Sequence, residues 1–159
     1  MVERFKVAGG KVLLALDGTE YFASQKLHCA NCSARVTSKG QLRYSHRLVL
    51  AALVSPEQRE VVALEPAFIS PQEHKAPRRD GNDKQDCELA AAKRWLTGQA
   101  PSYDLSAIVL GDDLYCHQPF CELLLAQGLD FILVCKPDSH PTLYDYLCLL
   151  YTSPSPRDS

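Results

Sequence analysis

Two aliphatic runs in this chain each end in an aspartate: Val12-Leu-Leu-Ala-Leu-Asp17 and Ala107-Ile-Val-Leu-Gly-Asp112. Strands buried on both faces read as continuous apolar runs rather than alternation. A carboxylate closing such a run is delivered to the edge of a sheet. If the two strands are neighbours, ~4.8 Å apart, Asp17 and Asp112 can share a divalent cation. That is the geometry of a metal-dependent phosphoryl-transfer site.

The rest of the chain supplies a scaffold for such a pair. Strands are expected at 11–17, 44–54, 61–64, 106–111 and 131–135. Ser55-Pro-Glu-Gln-Arg59 reads as a turn, and Pro66, Pro71 and Pro77 as an extended loop. Asn82 with Gln85 reads as a capping pair opening a helix to about Leu96. Leu89, Ala92 and Leu96 then face inward, and Gly98 to Ser102 closes the helix. A second helix starts at His117-Gln-Pro119 and stops at Gly128, and a third starts at Ser139 with Pro141. The order is β-β-β-α-β-α-β-α, an α/β fold. Trp95 is expected in the core.

Composition fits one globular domain: hydrophobic content is 46% and charged content 23% over 159 residues. No apolar run reaches the ~18 residues of a spanning helix, and no signal peptide opens the chain. The seven cysteines follow no secreted spacing, so reduced thiols and a cytoplasmic location are expected. The net charge of −2 conceals an asymmetry. Residues 1–50 hold 8 Lys/Arg against 3 Asp/Glu, while the remainder is acidic. Arg35, Lys39, Arg43 and Arg47 recur about every four residues, and Lys136 follows the last strand. These are candidate phosphate contacts; a solvated polar face explains them equally.

His28-Cys-Ala-Asn-Cys32 supplies zinc-ligand types at zinc spacing, but only half a site. His28, Cys29 and Cys32 are the zinc candidates, with His46, Cys87, Cys116 or Cys121 needed to complete them. Ordinary buried cysteines, or a redox pair, are the alternatives. Asp86 and Glu88 are accounted for by a helix dipole without catalysis. Asp113 faces away from Asp112 on alternation, and Glu122 lies mid-helix, badly placed for a metal.

Leu16-Asp-Gly-Thr-Glu-Tyr-Phe22, His28-Cys-Ala-Asn-Cys32, Asp80-Gly-Asn-Asp-Lys-Gln-Asp-Cys-Glu88 and Leu110-Gly-Asp-Asp-Leu-Tyr115 together resemble the bacterial insertion-sequence transposases of the DDE type. The resemblance covers roughly residues 10–147. It implies a ribonuclease-H-like mixed sheet with its first and fourth strands adjacent. It also implies two aspartates and a glutamate holding Mg²⁺ or Mn²⁺, transposon ends and target DNA as substrates, and a homo-oligomer in the intact parent. Asp17 matches the first acid and Asp112 the second, with Tyr115 as the following aromatic. Cys148-Leu-Leu-Tyr-Thr-Ser-Pro-Ser-Pro-Arg-Asp158 resembles the in-frame translation of a sequencing-library adapter. On that reading residues 1–147 are a partial catalytic domain and 148–159 a non-native irregular tail. The fold is then truncated before the third catalytic acid, and the chain alone is inactive.

Two other readings stand beside it. A non-catalytic nucleic-acid- or zinc-binding module uses the basic first third and Cys29/Cys32 but leaves the aspartates without a role. Haloacid-dehalogenase-like phosphohydrolases carry Asp-x-Asp-Gly-Thr, whose second half matches Asp17-Gly-Thr19. The nucleophile would fall at Ala15, and the covalent step has no attacking group.

Overall fold

β1 (Val12–Ser24) alternates once folded: Val12, Leu14 and Leu16 are buried, Leu13 and Ala15 half-buried, and Asp17 exposed. β3 (Leu42–Val54) buries Val49, Ala51 and Leu53, with Leu48 and Leu50 half-buried. β6 (Ala107–Gly111) buries Ala107 and Val109, with Ile108 and Leu110 half-buried. These strands therefore have one covered face, where unbroken aliphatic runs predict two. The computed structural model describes residues 2–70 and 86–152. Pro71, Pro77 and the Asn82–Gln85 capping pair lie outside the described residues.

The fold is mixed α/β, built on one seven-stranded mixed sheet. The remaining strands are β2 (Ser33–Val36), β4 (Val62–Ala63), β5 (Ala67–Ile69) and β7 (Asp130–Leu133). The main order is β2-β3-β1-β6-β7. β1 and β3 are antiparallel, whereas β1–β6 and β6–β7 are parallel. The far edge of β3 takes β2, β5 and β4 in turn, at Leu42–Ser45, Arg47–Val49 and Ala52–Leu53. The expected adjacency of the strands carrying Asp17 and Asp112 is therefore present.

The helices are α1 (Glu88–Arg94), α2 (Gln118–Ala126) and α3 (Pro141–Thr152). α1 runs on through a wider π turn, Trp95–Gln99, and a tight one, Ala100–Tyr103. Ala91, Ala92, Trp95, Leu96, Phe120 and Leu124 join the buried strand positions in a single core cluster. α1 and α2 thus cover the same face of the sheet. Among the described residues the opposite face stays half open, with Ile132 63% and Val134 53% exposed. Trp95 is buried as expected, and its Nε1 donates to the Glu65 carbonyl at 2.7 Å.

Several boundaries differ from expectation for identifiable reasons. β1 continues well past Asp17 because β3 pairs with it out to Ser24, and a register shift at Tyr21 absorbs the mismatch. β2 and β5 are short edge strands formed by pairing with β3, a long-range effect that local pattern does not carry. α1 begins at Glu88, because Asp86 is held by Arg94 and Ser70 and Cys87 is extended (φ −135°, ψ 168°). Cys148–Thr152, expected as irregular tail, are the last residues of α3. No proline interrupts the run after Pro141 until Pro154, so a helix once started can propagate. Residues 153–159 lie outside the described residues.

Candidate carboxylate site and cysteine–histidine clusters

The β1–β6 ladder pairs Val12 with Ala107 and continues to Ala15 with Leu110. Continued two residues past its last pair, that offset would bring Asp17 opposite Asp112, which lies just beyond the end of β6. Matched residues of a parallel pair share a face and sit ~4.8 Å apart. Both aspartates are exposed. Asp17 Oδ1 accepts from the Gly18 amide and Asp112 Oδ1 from the Leu114 amide, each at 2.9 Å.

Two glycines make room beside them. A Cβ on Gly18 would fall inside the Glu88 carboxylate. A Cβ on Gly111 would stand 2.9 Å from Leu133 and 3.0 Å from Tyr115. The backbone before and after the aspartates is therefore packed directly by Glu88 and Tyr115. Tyr115 is fully buried, and its hydroxyl donates to Glu88 Oε1 at 2.8 Å. Burial, the Glu88 hydrogen bond and then the charges of Glu88, Asp112 and Asp17 push its phenol far above the ordinary value. All three carboxylates thus act on one buried hydroxyl. The helix dipole alone does not explain Glu88, since its side chain turns back across β1.

Asp86 and Asp113 are engaged elsewhere. Burial opposes ionisation of Asp86, but Arg94 (2.6 and 2.9 Å) and the Ser70 amide (3.0 Å) outweigh it and hold the carboxyl low. Asp113 Oδ1 accepts from Ser139 Oγ at 2.6 Å and the Lys136 amide at 2.8 Å, which lower its pKa. It fastens the loop after β7, apart from Asp17. Glu122 is exposed and accepts from Gln118.

Asp17, Asp112 and Glu88 do not close to within 4.8 Å of one another as a threesome. Among the described residues, the three-ligand groups that tight are Cys29–Cys32–His46 and Cys116–Cys135–His140, which could hold a metal such as zinc. His46 Nε2 lies 3.3 Å from Cys29 Sγ and 3.2 Å from Cys32 Sγ, and the two sulfurs are 3.8 Å apart. His28 is not among these ligands. Its ring instead stacks on Tyr44 of β3 at 4.4 Å. In the second group, Cys116 follows β6, Cys135 follows β7 and His140 precedes α3.

The basic residues are spread rather than gathered. Arg35 pairs with Arg43 across β2–β3, and Arg47 stands four along from Arg43, so these three share a face. Arg43 is taken by an ion pair with Glu20, which also stands opposite Arg47. Lys39 sits in the β2–β3 turn and Lys136 is exposed after β7. In the sequence Glu88 is marked by nothing beyond the Asp-Cys-Glu word, and His46 is one of several residues able to complete the cysteine pair. No helix of the described residues is long and apolar enough to cross a membrane. No known family, curated protein or solved structure matches this chain.

Proposed function

We propose that this chain is part of the catalytic domain of a metal-dependent DNA strand-transfer enzyme of the insertion-sequence transposase type, with a ribonuclease-H-like fold. The feature that supports the reading is the β1–β6 adjacency, which carries Asp17 in β1 and Asp112 just past β6 toward one end of the sheet, with the Glu88 carboxylate bonded by Tyr115 beside Gly18. The strand order, with β1 between its antiparallel partner and β6, supports the fold assignment. Carboxylate oxygens suit Mg²⁺ by donor type, and Mg²⁺ keeps several waters, so its protein ligands need not touch one another.

Asp17 and Asp112 would hold the cation, which when bound activates water and steadies the charge of an in-line displacement at phosphorus. Glu88 stands as an acceptor beside them, with one oxygen engaged by Tyr115 and the other over Gly18. Arg35, Arg47, Lys39 and Lys136 are the proposed phosphate contacts, serving transposon ends and target DNA. The resemblance implies a glutamate as the third acid and an oligomeric parent. Calorimetry with Mn²⁺ tests the core of this. Wild type should bind, and Asp17→Ala/Asp112→Ala should bind at least tenfold more weakly; equal affinities would sink the assignment. No strand transfer is expected from 1–159 itself. Metal-dependent nicking lost in Asp17→Ala would instead make Glu88 a sufficient third acid.

A second reading, a nucleic-acid-binding zinc module without catalysis, is favoured by the Cys29–Cys32–His46 group. Under it, DNA affinity is indifferent to Asp17→Ala and to added Mg²⁺.

A further inference from the structure

We infer that Cys29, Cys32 and His46 form a structural Zn²⁺ site that fastens the segment between β1 and β2 to β3, independently of the carboxylate site. With Zn–S near 2.3 Å and Zn–N near 2.0–2.1 Å, tetrahedral ligands stand about 3.8 Å (S to S) and 3.5 Å (S to N) apart. The separations here are 3.8 Å between sulfurs and 3.2 and 3.3 Å from sulfur to Nε2. A disulfide would need sulfurs ~2.05 Å apart, so the turn holds two thiols at coordination distance. The turn itself is arranged around them: the Cys29 amide points at Cys32 Sγ (3.3 Å), and the Cys32 amide bonds the Cys29 carbonyl (3.2 Å).

The third ligand is set by β-structure. A bulge at Tyr21 interrupts the β1–β3 register, so that Phe22 pairs with His46. Tyr21 then stacks on the His46 ring at 5.6 Å and 18°, and Phe22 tilts against it at 5.5 Å. The imidazole is thereby wedged with Nε2 toward the sulfurs. Binding releases one proton from each thiol to solvent and uses the Nε2 lone pair, with Nδ1 keeping its hydrogen. Two thiolates would balance the charge of Zn²⁺.

The role follows from what else holds this segment. Residues 25–32 belong to no strand. Besides the Cys29–Cys32 turn, they are held by two amides onto Ser24 Oγ, a Gln25–Gln41 side-chain pair and the stack of His28 on Tyr44. One ion joining Cys29 and Cys32 to β3 would close that loop. Asp17 is paired with Leu50, four residues along β3 from His46, roughly 13 Å at ~3.3 Å per residue. The two sites therefore share no ligand.

The test uses the full chain, stripped of metal under reducing conditions and titrated with Co²⁺ and then Zn²⁺. Because Cys116–Cys135–His140 can also take an ion, the titration is done on Cys116→Ser/Cys135→Ser as well as wild type. In that variant, one equivalent of Co²⁺ with a thiolate charge-transfer band, displaced by Zn²⁺, is expected. The band should disappear in Cys29→Ser/Cys32→Ser and in His46→Ala, and persist in His28→Ala and in Asp17→Asn/Asp112→Asn. Zn²⁺ should also raise the melting temperature and slow proteolysis within residues 25–32. The proposal is overturned if Cys116→Ser/Cys135→Ser binds no Co²⁺, if the band survives loss of Cys29 and Cys32, or if mass spectrometry of the reduced protein finds a re-formed Cys29–Cys32 disulfide in place of the ion.

Discussion

Gly18 carries no side chain where the Glu88 carboxylate lies against the backbone of β1. Gly18→Ala forces that carboxylate aside, and an overpacked site of this kind costs about 1–3 kcal/mol. Urea denaturation should show the loss, and Gly18→Ala/Glu88→Ala should recover part of it. An unchanged midpoint in the single variant would mean that Glu88 swings away freely. Tyr115 makes the complementary contact from below. Tyr115→Phe removes a hydrogen bond to a carboxylate, expected to cost ~1.5–3 kcal/mol. The same variant tests whether Tyr115 orients Glu88, since Mn²⁺ affinity should then fall along with stability.

At the scale of elements, α1 is fixed at both ends by side chains that bond backbone. Arg94 joins Asp86 and the Phe68 carbonyl, tying the helix to β5. The folded-state carboxyl of Asp86 titrates below its unfolded value of about 3.9. A depressed carboxylate contributes stability that is present above the unfolded pKa and lost as pH falls through the folded one. Stability of wild type should therefore decline below about pH 4, and Asp86→Asn should flatten that decline while lowering stability at pH 7. Parallel acid limbs for the two proteins would remove Asp86 from the account. Trp95, the next residue, fixes the C-terminal end of the helix between Glu65 and Tyr103. Trp95→Ala should cost ~3–5 kcal/mol by chemical denaturation, and a loss under 1 kcal/mol would show that the site collapses around the gap.

Across the whole molecule, stability is one-sided. The core lies between the sheet and the α1/α2 layer, while the other face exposes Ile132 and Val134. Ile132→Thr should stay within the ~0.5 kcal/mol of neutral surface changes. On the covered face Val109, paired with Phe131, behaves differently: Val109→Ala removes two methyls from a fully buried site and should cost above ~1 kcal/mol. Similar losses in both variants would indicate that the open face is covered in solution.

The aliphatic stretches of β1, β3, β6 and β7, the aspartates that end two of those stretches and the Cys-x-x-Cys spacing were readable from residue order, because side-chain period and short-range motifs are local. The α2 start at Gln118-Pro119 was readable for the same reason, since proline fits the first helical turn. Which face of the aliphatic runs is covered was not readable: Leu13 and Leu14 are the same residue type, and packing alone separates them. Nor was the third member of the Cys29–Cys32–His46 group. His28 adjoins Cys29 in sequence, yet His46 reaches the sulfurs, because antiparallel pairing of β1 with β3 and the bulge at Tyr21 bring it there. Glu88 likewise reads as a helix-start charge until the sheet places Gly18 beneath it and Tyr115 beside it. Local pattern determined the elements; contacts between residues far apart in the chain decided which side chains meet.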